Sequence, residues 1–176
     1  MLSASSLSAQ GEWPSRKGKF FLMPEFWLSL GPSTYIEVSP MVGYHVTDRL
    51  SVGVGPHYIY QRIKAFPYNY ETHVFGMRAF GRFALITNSE ESILVNLFSD
   101  LFVHVEYEGM SLEKSIYHYL GGEGRFLCHS VLVGGGINRR LGPYNSVSLM
   151  ILWDINESMS SPYASPIFRM GFNSYF

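Results

Sequence analysis

The feature that most constrains this chain is the alternation at its C-terminal end. Phe168, Met170, Phe172 and Phe176 stand at every second position, interrupted only by Ser174, while Ile167, Arg169, Gly171, Asn173 and Tyr175 fill the places between. Successive side chains of a strand point to opposite faces, so a strand over 166–176 presents one almost wholly apolar face and one mixed, charged face. A 3.6-residue stripe is absent here and along the rest of the chain.

The same period-two pattern recurs in seven earlier segments, 18–30, 34–46, 50–62, 71–85, 92–107, 126–140 and 144–156. In 144–156, Val147, Leu149, Ile151, Trp153 and Ile155 oppose Ser146, Ser148, Met150, Leu152, Asp154 and Asn156. In 71–85, Phe75, Met77, Ala79, Gly81 and Phe83 oppose Gly76, Arg78, Phe80 and Arg82. Nearly every mid-strand charge falls on the second face: Glu25, Glu37, Asp100, Glu106 and Asp154 against Arg78, Arg82, Arg140 and Arg169, with His104 among them. A small barrel is too narrow for bulk water, so charges inside it must pair or lose their ionisation. The near balance of acids and bases meets that requirement.

Eight alternating segments joined as a meander predict an all-β fold, a closed eight-stranded antiparallel up-and-down transmembrane barrel, as one domain over 17–176. Residues 1–16 are expected to be a signal-peptide remnant or a flexible N-terminus, since MLSASSLSAQ is small and polar but has no basic start or apolar core. The connections at 47–49, 87–91 and 141–143 read as short turns, and those at 63–70, 108–125 and 157–165 as longer loops. Short turns at one end and mostly longer loops at the other, with the short Gly31-Pro32-Ser33 as the exception on the long-loop side, match an outer-membrane barrel with both termini periplasmic. Strands of about 9–11 residues suffice to cross a bilayer. The alternative is a soluble barrel with the charged face outward and an apolar interior. Pro24, Pro40 and Pro56 fall on the apolar face, where each removes a ladder donor from its strand.

Composition narrows the function classes. Only 15% of the 176 residues are charged and 16% are aromatic, with a net charge of −1; ordinary globular chains carry ~25% charged residues. The balance excludes a nucleic-acid binder that works by phosphate neutralisation, and no apolar run is long enough for a membrane helix. One cysteine, Cys128, excludes an intrachain disulfide framework.

Several stretches carry a family resemblance: VTDRLSVGVGPHYIYQ (46–61), YETHVFGMRAFGRF (70–83), HSVLVGGGINRRLG (129–142), SVSLMILWDIN (146–156) and SSPYASPIFRMGFNSYF (160–176). On these the chain resembles the small outer-membrane β-barrel proteins of Bacteroidota, which are similar to OmpA/OmpX-type eight-stranded barrels. The resemblance implies an outer-membrane location in a Gram-negative envelope, with lipid and the barrel-assembly machinery as partners. It implies no catalytic residues. The final strand resembles the assembly signal of such barrels through Phe168, Met170, Phe172 and Phe176.

Candidate chemistry is sparse, and no cofactor or metal is expected. Cys128 and His129 are adjacent, so on a strand they face opposite ways and do not readily share a metal. Ser130 and His129 are separated in the same way, which leaves no Ser–His–carboxylate triad for a lipid A-modifying enzyme. Gly134-Gly135-Gly136 lacks the Lys-Ser/Thr of a phosphate loop and reads as close packing around a bulky lumen side chain. Tyr117-His118-Tyr119 reads as an exposed aromatic loop, and Tyr58, Tyr60, Tyr107 and Trp153 as an interfacial girdle. Within the lumen set the register expected from a turn at 86–91 pairs Arg78 with Asp100, sets Arg82 level with Asn96, and brings Arg169 to Glu25 or Asp154. The function expected is that of a plugged structural or surface-interaction protein that meets an unknown surface ligand through its longer loops. A small solute or ion channel and a lipid A-modifying enzyme are the alternatives.

Overall fold

The computed structural model describes residues 15–31, 33–65, 68–87, 99–117, 122–142, 144–156, 163 and 165–176. Eight strands follow one another around a closed barrel, each antiparallel to the next: β1 Phe20–Ser29, β2 Ser33–His45, β3 Leu50–Ala65, β4 Tyr68–Thr87, β5 Asp100–Glu113, β6 Arg125–Arg140, β7 Asn145–Asp154 and β8 Ile167–Tyr175, with β8 returning to β1. A four-residue helix, α1 Lys114–Tyr117, follows β5. Closure pairs each strand with two neighbours and leaves unpaired edge where the short β1–β8 ladder ends at Glu25↔Gly171.

The alternation sets the faces. Leu22, Val42, Val54, Met77, Val105, Leu149 and Phe172 are exposed on the outside, while Met23, Met41, Arg78, Glu106, Met150 and Arg169 are buried in the lumen. A bulge between Ala84 and Ile86 in the β4–β5 pairing puts Leu85 and Ile86 both outside. At the end that carries the chain termini, inward Phe21 lies over Gly43 and Phe80 over Gly53, their cross-strand partners. A Cβ at Gly43 would come within 2.1 Å of the Phe21 ring, so the lumen has room for the two rings only because these positions lack side chains.

Three sequence expectations are corrected. The segment 63–70 is not a loop: β3 and β4 pair without a break to Ala65↔Tyr68, as a tall hairpin. Second, β5 does not end at 107: as described it runs over Asp100–Glu113, while 88–98, with Asn96 and the expected start at 92, lies outside the described residues. Third, the register differs. Arg82 lies opposite His104, Arg78 opposite Glu108, and Asp100 opposite Thr87. Arg78 therefore does not meet Asp100.

Both extensions lie where the polarity of the wall inverts. Beyond the charged layer the lumen is filled by Ile59, Val74, Met110, Leu112 and Cys128, and the outer face carries polar partners such as Arg62 opposite Glu71. The strands still alternate, but with apolar residues inside.

The three prolines stand side by side. Pro24 pairs with Pro40 in an uninterrupted β1–β2 register. The β2–β3 pairing stops at Val38↔Tyr58 and resumes at Val42↔Val54, which sets Pro40 opposite Pro56. Antiparallel ladders alternate hydrogen-bonded and non-hydrogen-bonded pairs. The intact β1–β2 register fits a non-hydrogen-bonded Pro24–Pro40 pair. Pro40–Pro56 then falls on a hydrogen-bonded site where both donors are missing, and the ladder breaks there.

Candidate functional site

The charged side chains converge in a layer at mid-lumen. Arg78 projects from β4 and is fully buried. Its Nη1 donates to Glu25 Oε2 at 3.0 Å and its Nη2 to Glu37 Oε1 at 2.6 Å. Its Nε lies 2.6 Å from Glu108 Oε1 and 3.5 Å from Glu106 Oε1, as ion-pair contacts without hydrogen-bond alignment. From β8, Arg169 Nη1 donates to Glu106 Oε1, and its Nη2 donates to Glu108 Oε1 at 2.7 Å. His104 Nε2 and Glu106 Oε2 share a hydrogen bond at 3.0 Å. Arg82 lies in the same layer, 4.2 Å above the centre of the Phe102 ring. Strands β1, β2, β4, β5 and β8 are thus tied through one network across the lumen.

Arg169 therefore makes its ion pairs with Glu106 and Glu108 rather than with Glu25 or Asp154, while its charge still acts on Glu25. The alternation read to 107 puts Glu108 in a loop, yet it holds two guanidiniums. The signal for it was present, because Glu106 and Glu108 share parity and the alternation continues past residue 107.

A second, smaller set closes the end where the chain termini lie. Asp100 accepts from Arg16 Nη2 at 2.8 Å and from Asn138 Nδ2 at 2.9 Å, with Arg140 Nη2 at 3.7 Å. Ser15 and Arg16, placed by the sequence in the N-terminal segment, are bound to the barrel. Ser15 Oγ donates to Asp48 Oδ1 at 2.6 Å, and the Arg16 backbone N–H donates to the same oxygen at 2.8 Å. These donors hold the Asp48 carboxyl below its usual range, the Ser15 hydroxyl most of all. Arg16 extends from this strap into the lumen mouth, where the remaining hollow is about 30 Å³, room for one water. Asp154 is buried near the opposite end and accepts from the Asn156 N–H at 3.0 Å.

No family model matches the chain, and no curated protein matches it in sequence. Among solved structures, it is similar to the N-terminal β-barrel domain of Pseudomonas aeruginosa OprF. The likeness covers 93% of this chain and 98% of that one, with a TM-score of 0.50 at 11% identity. It also aligns with a chain from the de novo design of transmembrane β-barrels, over 91% of this chain and 97% of that one, with a TM-score of 0.45 at 12% identity. The first likeness shows the fold, a closed eight-stranded β-barrel.

The remaining candidates fall as follows. Cys128 is buried in the lumen while His129 lies outside, hydrogen-bonded to the Tyr107 hydroxyl at 2.6 Å. Ser130 is buried, on the opposite side of the wall from His129. Gly134–Gly136 lie within β6, where a Cβ at Gly134 would meet the Ile151 carbonyl oxygen at 1.9 Å and one at Gly136 the Leu149 oxygen at 2.2 Å. The neighbouring backbone at least as much as a side chain therefore requires glycine there. Tyr117 is not an exposed loop residue. It packs on the apolar lumen cluster and donates to Gln61 Oε1 at 2.8 Å, and burial pushes its hydroxyl up to about 12. His118 and Tyr119 lie outside the described residues. Tyr58, Tyr60, Tyr107 and Trp153 lie on the outer wall, with His73 between Tyr58 and Tyr60. Phe168, Met170, Phe172 and Phe176 are all exposed along one side of the last strand.

Proposed function

We propose that this chain crosses the outer membrane of a Gram-negative envelope as a plugged barrel and acts there as a structural or surface-interaction protein. The observation that carries the plug is the Arg78 network, which joins walls on opposite sides of the lumen through Glu25, Glu37, Glu106 and Glu108. The membrane location is supported by the outward apolar belt and the inward charges, the opposite sense from a soluble barrel, and by closure, which lipid demands of any sheet within it. In this reading both termini are periplasmic, and the last strand with Phe176 addresses the barrel-assembly machinery. The connections after β5 and β7 meet the surface ligand.

Two measurements test the proposal. The protein should require detergent and run on gels at different mobilities before and after heating; stable, monodisperse behaviour in plain buffer overturns the membrane location. In planar bilayers it should give no steady conductance steps. Regular steps would overturn the plug and favour a small channel.

A further inference from the structure

The barrel wall is not equally tight all round. The β1–β8 pairing includes Phe21↔Tyr175, Leu22↔Ser174 and Glu25↔Gly171, and among the described residues it does not continue beyond that last pair. Pro24 lacks the donor that would face β8 just below it. Above Glu25, Phe26–Ser29 keep their partners on β2, and Ile167–Met170 theirs on β7, but the two runs do not pair with each other. A cavity of about 460 Å³ occupies this seam, within the size range of small-molecule sites. Its lining passes through the wall: Glu25, Glu37 and Arg169 from the lumen, Phe26, Phe168 and Met170 from the outer face. Trp27 should face inward by alternation, yet it is 53% exposed. It borders both this cavity and an apolar groove of about 650 Å³ that runs over Gly135, Ile137, Leu149 and Ile151 on the outside.

The polar end of the cavity has an unused acceptor. Glu25 Oε2 is bound to Arg78, but Glu25 Oε1 is buried with no hydrogen-bond partner. Arg169, on the same wall, is already engaged with Glu106 and Glu108. The layer holds four carboxylates, Glu25, Glu37, Glu106 and Glu108, against three guanidiniums, Arg78, Arg82 and Arg169. An anionic head would deepen that excess. A protonated amine offsets it and brings the donors that Glu25 Oε1 lacks.

We propose that the seam between β1 and β8 admits an amphiphile with one alkyl chain and a primary ammonium head, the head on Glu25 and the chain past Trp27 along the outer groove. The inference rests on the outer face meeting lipid. The test uses the full chain with Trp13→Phe and Trp153→Phe, leaving Trp27 as the reporter, in phosphatidylcholine vesicles. The quenchers are 12-bromododecylamine and 12-bromododecanoate. The amine should reach half-quenching at a concentration about tenfold lower than the acid, as one charge-assisted hydrogen bond allows. Glu25→Gln should bring the amine to the level of the acid. A disulfide between Leu28→Cys and Phe168→Cys, in a Cys128→Ser background, should abolish saturable quenching until it is reduced. Equal quenching by amine and acid overturns the proposal, as does an amine response unchanged in Glu25→Gln or in the oxidised disulfide variant. Vesicle flotation and heat-modifiable migration are read on the same samples. A protein that floats but does not discriminate the two heads refutes the seam site alone, and one that does not float refutes the membrane location.

Discussion

Replacing Arg78 with Met removes the cation that touches all four carboxylates of the lumen layer while keeping much of the side-chain volume. The consequences differ by partner. Glu106 and Glu108 retain Arg169, and Glu37 retains the Tyr35 hydroxyl at 2.8 Å. Glu25 loses its hydrogen-bonded partner and has its second oxygen already unpaired, so mainly the nearby charge of Arg169, which makes no ion pair with it, remains to offset it. Breaking a buried pair costs about 3–5 kcal/mol because the surviving charge stays desolvated, roughly two to three and a half orders of magnitude in the folding equilibrium. Adding Glu25→Gln to Arg78→Met removes the stranded charge, and contacting residues of this kind couple by about 0.5–3 kcal/mol. Asp100→Asn should recover nothing, because Asp100 belongs to the separate set with Arg16, Asn138 and Arg140. The assay is urea unfolding in short-chain lipid vesicles, followed by tryptophan emission and by the mobility of unheated samples on gels. A loss below ~1 kcal/mol for Arg78→Met would refute the reasoning, and so would a rescue by Asp100→Asn equal to that by Glu25→Gln.

Phe172→Arg should cost about 2–4 kcal/mol of stability in vesicles, since it places a cation on the exposed outer wall that the proposal sets against lipid, and Asn173→Asp, one residue on but inside the lumen beside Arg16 and Arg82, should be milder; equal losses would contradict the assignment of faces. Asp48→Asn should speed hydrogen exchange at the Arg16 and Lys17 amides, which both donate to Asp48. Because the folded carboxyl is held below its ordinary value, this protection is present above the unfolded value and should fade as pH falls through the folded one, and exchange independent of both the variant and pH would dissociate the strap from Asp48. Pro40→Val and Pro56→Val each return a donor to the broken β2–β3 site. The gain from satisfying a buried carbonyl, about 1–3 kcal/mol, outweighs the ~0.4–1 kcal/mol lost through a freer unfolded chain, so the urea midpoint should rise in both variants, and a fall in both would refute the register at the break.

The fold was legible because alternation depends only on local order. Phe168 to Phe176 and Val147 to Ile155 assign the faces of β8 and β7 without any knowledge of neighbours, and the meander order follows from connection lengths alone. The pairs across the lumen were less legible, because they depend on register, and register depends on where each strand stops. A turn at 86–91 sets Arg78 level with Asp100, whereas Asp100 lies opposite Thr87 and Arg78 opposite Glu108. The seam beside Trp27 was hidden for a different reason. Parity predicts where a side chain points only while the ladder continues, and the β1–β8 ladder ends at Glu25.

The error in β5 also shows what alternation cannot carry. A period of two separates two faces but does not say which of them meets water, and the sense can change along one strand. Through Glu106 and Glu108 the inner residues of β5 are polar or charged except Phe102, and the outer ones apolar; at Met110 and Leu112 the inner residues are apolar, and Ser111 stands outside. The same inversion occurs on β3 and β4, where Ile59 and Val74 are buried while Arg62 and Glu71 pair outside. One physical cause covers all three strands. Within lipid the outer face must be apolar, leaving the lumen to the charges. Above the lipid, water covers the outer face and the lumen must supply an ordinary hydrophobic core. The height at which the sense flips, between Glu108 and Met110 on β5, therefore marks the upper edge of the proposed membrane slab. Tyr107 stands on the outside just at that level, hydrogen-bonded to His129, where an amphipathic ring is best placed between lipid and water.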